Sequence, residues 1–206
     1  MSDDGTTDAT EDDGLGDLVL ADGPWDVDAA PEGQEFLDFG PLKLPSLAGL
    51  KVRMEIDPDR REIGAVTVRV AGCALQLQVI TAARGVGQWT DTRQALIANL
   101  KQRPGHQQVV EGHFGAEVIG VLTGRTPEGV LVDATMRFQG LEGDRWMIRA
   151  VSSGQTVTQD RTVARVNAFL SRCAVDVRDS AEPAGTVLPL TDPPGGMDTQ
   201  HVEEVE

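Results

Sequence analysis

Between Lys51 and Ile80 the chain changes polarity with a period of two, and that rhythm limits the fold more than any other feature of the sequence. Val52, Met54 and Ile56 fall on one face of a strand, and Lys51, Arg53 and Glu55 on the other. Asp57-Pro58-Asp59 then turns the chain. Val66, Val68 and Val70 alternate with Thr67 and Arg69, Ala71-Gly72 break the run, and Leu75, Leu77 and Val79 oppose Gln76, Gln78 and Ile80. Three such strands joined by short polar turns predict an antiparallel meander, its second face solvated or covered.

The flanking segments extend this pattern. Upstream, Phe36, Asp38 and Gly40 alternate with Leu37 and Phe39, and Pro41 and Pro45 bracket Leu42-Lys43-Leu44. Residues 88–102 take a helical period, with Trp89, Arg93, Leu96, Ile97 and Leu100 near one face and Pro104-Gly105 as the stop. Thr90 is the expected N-cap. Gln107–Glu111, Ala116–Arg125 and Val130–Gln139 read as strands, turned at Thr126-Pro127-Glu128-Gly129 and Leu141-Glu142-Gly143-Asp144. Arg145–Ser152 follows, with Trp146, Ile148 and Ala150 on one side and Met147, Arg149 and Val151 on the other. A second helix is predicted over Thr158–Arg172, its stripe formed by Val163, Val166, Phe169 and Leu170, before a last short strand at Cys173–Val177. Strands, helix, strands, helix, strand is the order of an α+β fold, a mainly antiparallel sheet with two helices packed on it.

Charge sets the limits of the folded body. The net charge is -15, yet residues 1–22 hold eight acids and residues 192–206 five more, neither segment with a Lys or Arg. Residues 23–191 therefore hold 20 acids against all 18 bases and are close to neutral. The sequence predicts one domain over 23–191 between two disordered acidic tails. Leu15, Leu18, Val19 and Leu20 interrupt the first tail and read as tail, with a short partner-docking helix as the sharper alternative. Val187-Leu188-Pro189-Leu190 is apolar enough to dock as a strap. Aromatics are scarce, five Phe and three Trp without Tyr, so Val, Leu, Ile, Met and Ala must fill the core. No basic stretch followed by an apolar one opens the chain, and no run of about 18 apolar residues is present, so neither a secretory signal nor a membrane span is expected. Cytosol is the default compartment. There Cys73 and Cys173, far apart and outside any CxxC, read as small buried hydrophobes.

Four groups of residues carry a resemblance. They are Gly23-Pro24-Trp25-Asp26 after the acidic tail; Phe36-Leu37-Asp38-Phe39-Gly40-Pro41-Leu42-Lys43-Leu44-Pro45; Ala74-Leu75-Gln76-Leu77-Gln78 with Trp89 and its helix; and Arg145-Trp146-Met147-Ile148-Arg149 with Gly154. Together they resemble a domain-of-unknown-function family of high-GC Gram-positive bacteria, from about residue 23 to Leu190. The resemblance implies a shared fold and carries no activity, cofactor or catalytic residue. Where Gly often follows the second Arg of the RWxxR segment, this chain has Ala150.

Reactive constellations are thin. His106 and His113 flank Glu111, but the spacing of a zinc site is missing and His201 lies in the tail. Ser152-Ser153-Gly154 lacks the GxSxG frame and a positioned His–Asp pair, and reads as a turn. No pair of carboxylates suited to hydrolysis stands out. Gly85-Val86-Gly87, beside Arg84, precedes a helix and offers amides to an anion, without the lysine of a nucleotide-binding loop. A near-neutral body with acidic tails opposes nucleic-acid binding, and alternation separates Trp146 from Arg145 and Arg149. No cofactor and no metal are expected, and no residue is assigned a catalytic role. The candidate binding residues are Arg84, Gly85, Gly87, Trp89, Trp146 and Arg149. The leading expectation is a non-enzymatic binding or regulatory module for a protein partner or small ligand, with the acidic tails serving solubility, steering toward a basic partner, or self-shielding of the Arg-rich body. The alternatives are an enzyme of unrecognised type acting on a small molecule, and an oligomer-forming structural protein. A deep polar pocket gathering Arg84, Asp91 or Arg149 would favour the enzyme.

Overall fold

The computed structural model describes residues 15–85, 87–125 and 130–194. The turn expected at Thr126–Gly129, Val86 of the glycine loop, His201 and much of both acidic tails lie outside the described residues. The strands are β1 (Trp25–Asp26), β2 (Phe36–Phe39), β3 (Leu42–Pro45), β4 (Val52–Asp57), β5 (Glu62–Val70) and β6 (Cys73–Thr81). Helix α1 (Gln88–Leu100) leads to β7 (Gly105–Gly112), β8 (Gly115–Arg125), β9 (Leu131–Glu142) and β10 (Trp146–Ser153), then α2 (Asp160–Leu170) and β11 (Ala174–Val175).

Seven of these strands form one antiparallel sheet in the order β4-β5-β6-β10-β9-β8-β7. The meander β4-β5-β6 read from the alternation is its first half. Val70 and Cys73 pair across the Ala71-Gly72 turn, where both turn residues have positive φ (49° and 76°). Such two-residue turns match the twist of the strands they join. The short strands make a separate four-stranded sheet, β1-β11-β3-β2, in which only β1 and β11 run parallel.

Alternation along β10 sorts its side chains into two cores. Trp146, Ile148 and Ala150 join Val66, Val68, Leu75 and Leu77 in the larger one, which α2 closes with Val166, Phe169 and Leu170. The small sheet adds Phe39, Leu42 and Leu44, all fully buried. Met147 faces the other way, into a smaller core with Ile80, Val118, Phe138 and the α1 residues Trp89 and Leu100. The two helices thus lie on opposite faces of the large sheet.

β5 and β6 pair only between Val66–Val70 and Cys73–Leu77. Beyond that the C-terminal strap enters between them: Leu188 N donates to Val79 O at 2.9 Å and Leu190 N to Ile63 O at 2.8 Å. Leu188 and Leu190, each 4 % exposed, fill the larger core from this side. The last residues of the first tail also have a place. Arg165 Nη1 donates to Gly16 O, Arg172 Nε to Val19 O, and Ala21 N to Ser171 Oγ, so residues 15–22 run along α2 without helix, with Leu15 buried.

Cys73 and Cys173 are both buried. Burial pushes the Cys173 thiol far above its ordinary pKa. Among the described residues no helix is long and apolar enough to cross a membrane.

Candidate functional site

The glycine loop and α1 fold around a carboxylate of the chain itself. Gly87, with φ 138°, is the N-cap of α1, and Thr90 lies inside the helix rather than at its start. Gly87 N and Trp89 N each donate to Glu142 Oε1 at 3.0 Å. Glu142, at the end of β9, therefore takes the place at the helix N-terminus that the glycine loop could have offered to an external anion. A cap supplied from 53 residues away leaves no local signature, which is why Thr90 looked the better choice. Arg84 and Gly85 are exposed on the loop beside it.

Trp89 is 4 % exposed, its ring laid on Gly140 and its Nε1 donating to Ala116 O at 2.6 Å. A Cβ at position 140 would fall inside that ring, so only glycine fits. Gly140 pairs with Arg149 on β10, so Trp89 and Arg149 are neighbours on the α1 face. Trp146 lies on the opposite face, 1 % exposed, as the strand alternation requires. Of the six candidates, then, Gly87, Trp89 and Arg149 share one face, while Trp146 belongs to the α2 core.

Arg149 is half-buried and makes no ion pair among the described residues. Its Nη2 donates to Gln78 Oε1, and Gln78 Nε2 in turn donates to Gly64 O at 3.1 Å. Its Nε is buried and meets no acceptor among the described residues. Burial lowers the pKa of this guanidinium from its ordinary value. Toward the β4 edge the same face is polar: Glu55 accepts from Thr67 Oγ1 and from Gln76 Nε2, both at 2.5 Å.

A second polar group, missed by the sequence reading, sits beneath α2. Arg137 Nε donates to Glu117 Oε2 at 2.5 Å, and Gln139 Nε2 donates to Glu117 Oε1 and Asn167 Oδ1, both at 3.0 Å. Glu117 and Gln139 are each 1 % exposed, Asn167 7 % and Arg137 8 %. The available signal was Asn167, a polar residue amid the apolar stripe of α2. His106 and His113 lie at opposite ends of β7, the latter edge-on to Phe114 at 4.7 Å.

A concavity lies elsewhere, between the small sheet and the chain on either side of the strap. It is an open groove of about 710 Å³ with Asp38, Lys43, Asp176, Asp179, Glu182 and Asp192 among its lining. Pro41, Leu188 and Pro189 contribute apolar surface. Lys43 is engaged by Asp38. Arg178 spans Asp176 and Asp28, each at 2.7 Å. The hydrogen bond from Arg178 holds the Asp176 carboxyl below its usual range. Asp179, Glu182 and Asp192 form no ion pair among the described residues, so the groove is acidic on balance.

The residues that carried the resemblance prove to be pins of the fold. Trp146 Nε1 donates to Asp26 Oδ1 at 2.6 Å, joining the GPWD and RWxxR segments across 120 positions. Trp25 N donates to Cys173 O at 3.1 Å, and Arg145 Nη2 to Val177 O at 3.2 Å. A family model described as Protein of unknown function (DUF3710) matches residues 23–199. The chain belongs to this family. No curated protein matches it. In the DUF3710 chain the GPWD and RWxxR segments thus hold β1, β10 and β11 together, while the Phe36–Pro45 stretch supplies Asp38, Pro41 and Lys43 to the acidic groove.

Proposed function

We propose that this DUF3710 chain is a non-enzymatic binding module whose groove receives a cationic segment of a protein partner. The observation that carries the reading is the groove itself, whose lining includes Asp179, Glu182 and Asp192, none of them in an ion pair among the described residues, beside Pro41 and Pro189. Arginine side chains suit such a site because the guanidinium fork can meet a carboxylate with two charge-assisted hydrogen bonds. The sequence beyond Pro194 adds Asp198, Glu203, Glu204 and Glu206 without a Lys or Arg, a negative charge that favours encounter with a cationic partner. The module is placed in the cytosol, in keeping with two cysteines that lie buried and outside any CxxC pair.

The test uses the full-length chain and a labelled arginine-rich peptide, with affinity followed by fluorescence anisotropy at low and physiological salt. Binding should weaken with salt, and the variant Asp179→Asn/Glu182→Gln/Asp192→Asn should bind about tenfold or more weakly, since rim charges govern steering and salt dependence. A control with the same charge change elsewhere, Asp59→Asn/Glu62→Gln/Asp144→Asn, should bind like the wild type. Equal loss in both variants would show attraction to net charge and no groove site.

A further inference from the structure

The two edges of the large sheet are guarded unequally. β4 is short, carries Arg53, Glu55 and Asp57, and slips register between Glu55 and Ile56. Those are the usual defences against edge-to-edge pairing. Of these β7 has only the single acid Glu111. Its eight residues, Gly105 to Gly112, pair with β8 without a shift and include no Pro, Lys or Arg. Most of its side chains are exposed, and Val109 remains 51 % exposed.

The direction of its free backbone groups follows from the register. Thr123 N donates to Pro104 O, and the ladder opposes Gly105 to Leu122. Hydrogen-bonded and non-hydrogen-bonded pairs alternate along an antiparallel ladder, so His106, Gln108, Val110 and Gly112 bond to β8. Gly105, Gln107, Val109 and Glu111 therefore turn their N–H and C=O groups outward. These outward groups meet no hydrogen-bond partner among the described residues.

We propose that β7 pairs with β7 of a second copy of this chain, antiparallel about a two-fold axis at Gln108, giving one continuous sheet across a dimer. A two-fold normal to the sheet keeps each side chain on its own face, so a residue, and not a gap between residues, must lie on the axis. Centring on Gln108 sets Gln107 opposite Val109 of the second copy and Gly105 opposite its Glu111. Every outward N–H and C=O of the strand is then paired. His106 faces Val110 of the second copy, so no like charges oppose one another. The two Gln108 residues meet as a non-hydrogen-bonded pair with Cα atoms about 4.5 Å apart. Occupancy by a second copy follows from this self-complementarity, in which every outward group of the strand finds its partner on the same strand of the other chain.

The full-length chain is tested by sedimentation velocity over a wide concentration range, and by oxidation of single cysteine variants. A concentration-dependent dimer is expected. Gln108→Lys puts two ammonium groups at the axis and should raise the dissociation constant about tenfold or more. Gln108 is exposed, so this variant should keep its fold, checked by circular dichroism. Gln108→Cys should cross-link on mild oxidation, since a Cα separation of about 4.5 Å lies within disulfide range. His106→Cys, two positions off the axis, should not. A monomer at every concentration, a dimer indifferent to Gln108→Lys, or cross-linking at both cysteines would each overturn the proposal.

Discussion

The two faces of the seven-stranded sheet are made by the same strands and closed by one helix each, yet they are finished differently. Beneath α2 the face is sealed, and its charged residues are paired: Arg137 bonds Glu117, and Gln139 links that carboxylate to Asn167. Beneath α1 the apolar packing covers Trp89, Leu100, Phe138 and Met147, while Arg149 is held by an amide with no carboxylate partner. A face that must exclude water needs its polar groups satisfied from within. A face that is only partly roofed can leave a guanidinium to solvent on one side. The contrast teaches which arginine of this chain is part of the fold and which is dispensable to it.

The α2 core should be the more costly face to break. Phe169→Ala removes a fully buried ring and is expected to cost about 3–5 kcal/mol by the usual large-to-small penalty. Leu100→Ala on the α1 face, at 6 % exposure, is expected to cost about 2–3 kcal/mol, at the low end of its range because the site lies nearer solvent. Urea denaturation of the two variants reads the difference. Equal losses would mean that the faces are equally closed.

Next in size is the buried pair. Glu117→Gln leaves Arg137 charged and without its counter-ion, and should cost about 3 kcal/mol, the lower end for breaking a buried pair because Arg137 keeps some exposure. Arg149→Met makes the opposite test. Its charge is already uncompensated, so replacing it should change stability by less than about 1 kcal/mol, and in the stabilising direction if at all. A large loss on Arg149→Met would show that Gln78 is a sufficient partner and would erase the contrast between the two arginines.

What was legible beforehand divides along the same line. Period-two alternation gave β4, β5, β6 and β10 and told Trp146 from Arg149 by face, because burial on one side of a strand writes itself into every second residue. The helices were legible from apolar spacing, α2 ending at Leu170 rather than Arg172. Three features were not. Glu142 caps α1 from another strand, Glu117 and Arg137 sit at positions that alternation alone assigns to a polar face, and the groove collects residues from Asp38 to Pro194. Each depends on contacts distant in sequence, which local periodicity does not encode. Ala150 is fully buried in the α2 core, so the place where the motif often has Gly accommodates a methyl group here.

Gly140 sharpens the comparison on the α1 side. Any side chain there must displace the Trp89 ring, so Gly140→Ala should cost about 1–3 kcal/mol as an overpacked site. The indole would lose its bond to Ala116 O, and tryptophan emission should shift to the red. Ala150→Gly on the α2 side removes only a methyl group from a packed core and should leave emission unchanged. If Gly140→Ala left both stability and emission intact, the ring would have room that the structure does not show.

The smallest effect expected belongs to the groove, where charge meets solvent. The Asp176 carboxyl is lowered mainly by its hydrogen bond from Arg178, with burial opposing the shift. A carboxyl whose folded pKa lies below its unfolded value contributes stability that is full above the unfolded pKa, near 3.8, and is lost as pH falls through the folded one. Its contribution should therefore be constant at neutral pH and disappear only in strong acid. Because the Asp176–Arg178 pair is largely exposed, the change is screened, and carboxyl-detected NMR titration is a better reading than denaturation. Arg178→Gln should return the Asp176 pKa toward its ordinary value and leave folding at neutral pH unaltered. If Asp176 stayed low without Arg178, the remaining positive charge acting on it would be Lys43 across the groove. The groove would then be less acidic toward a cationic partner than its carboxylates suggest.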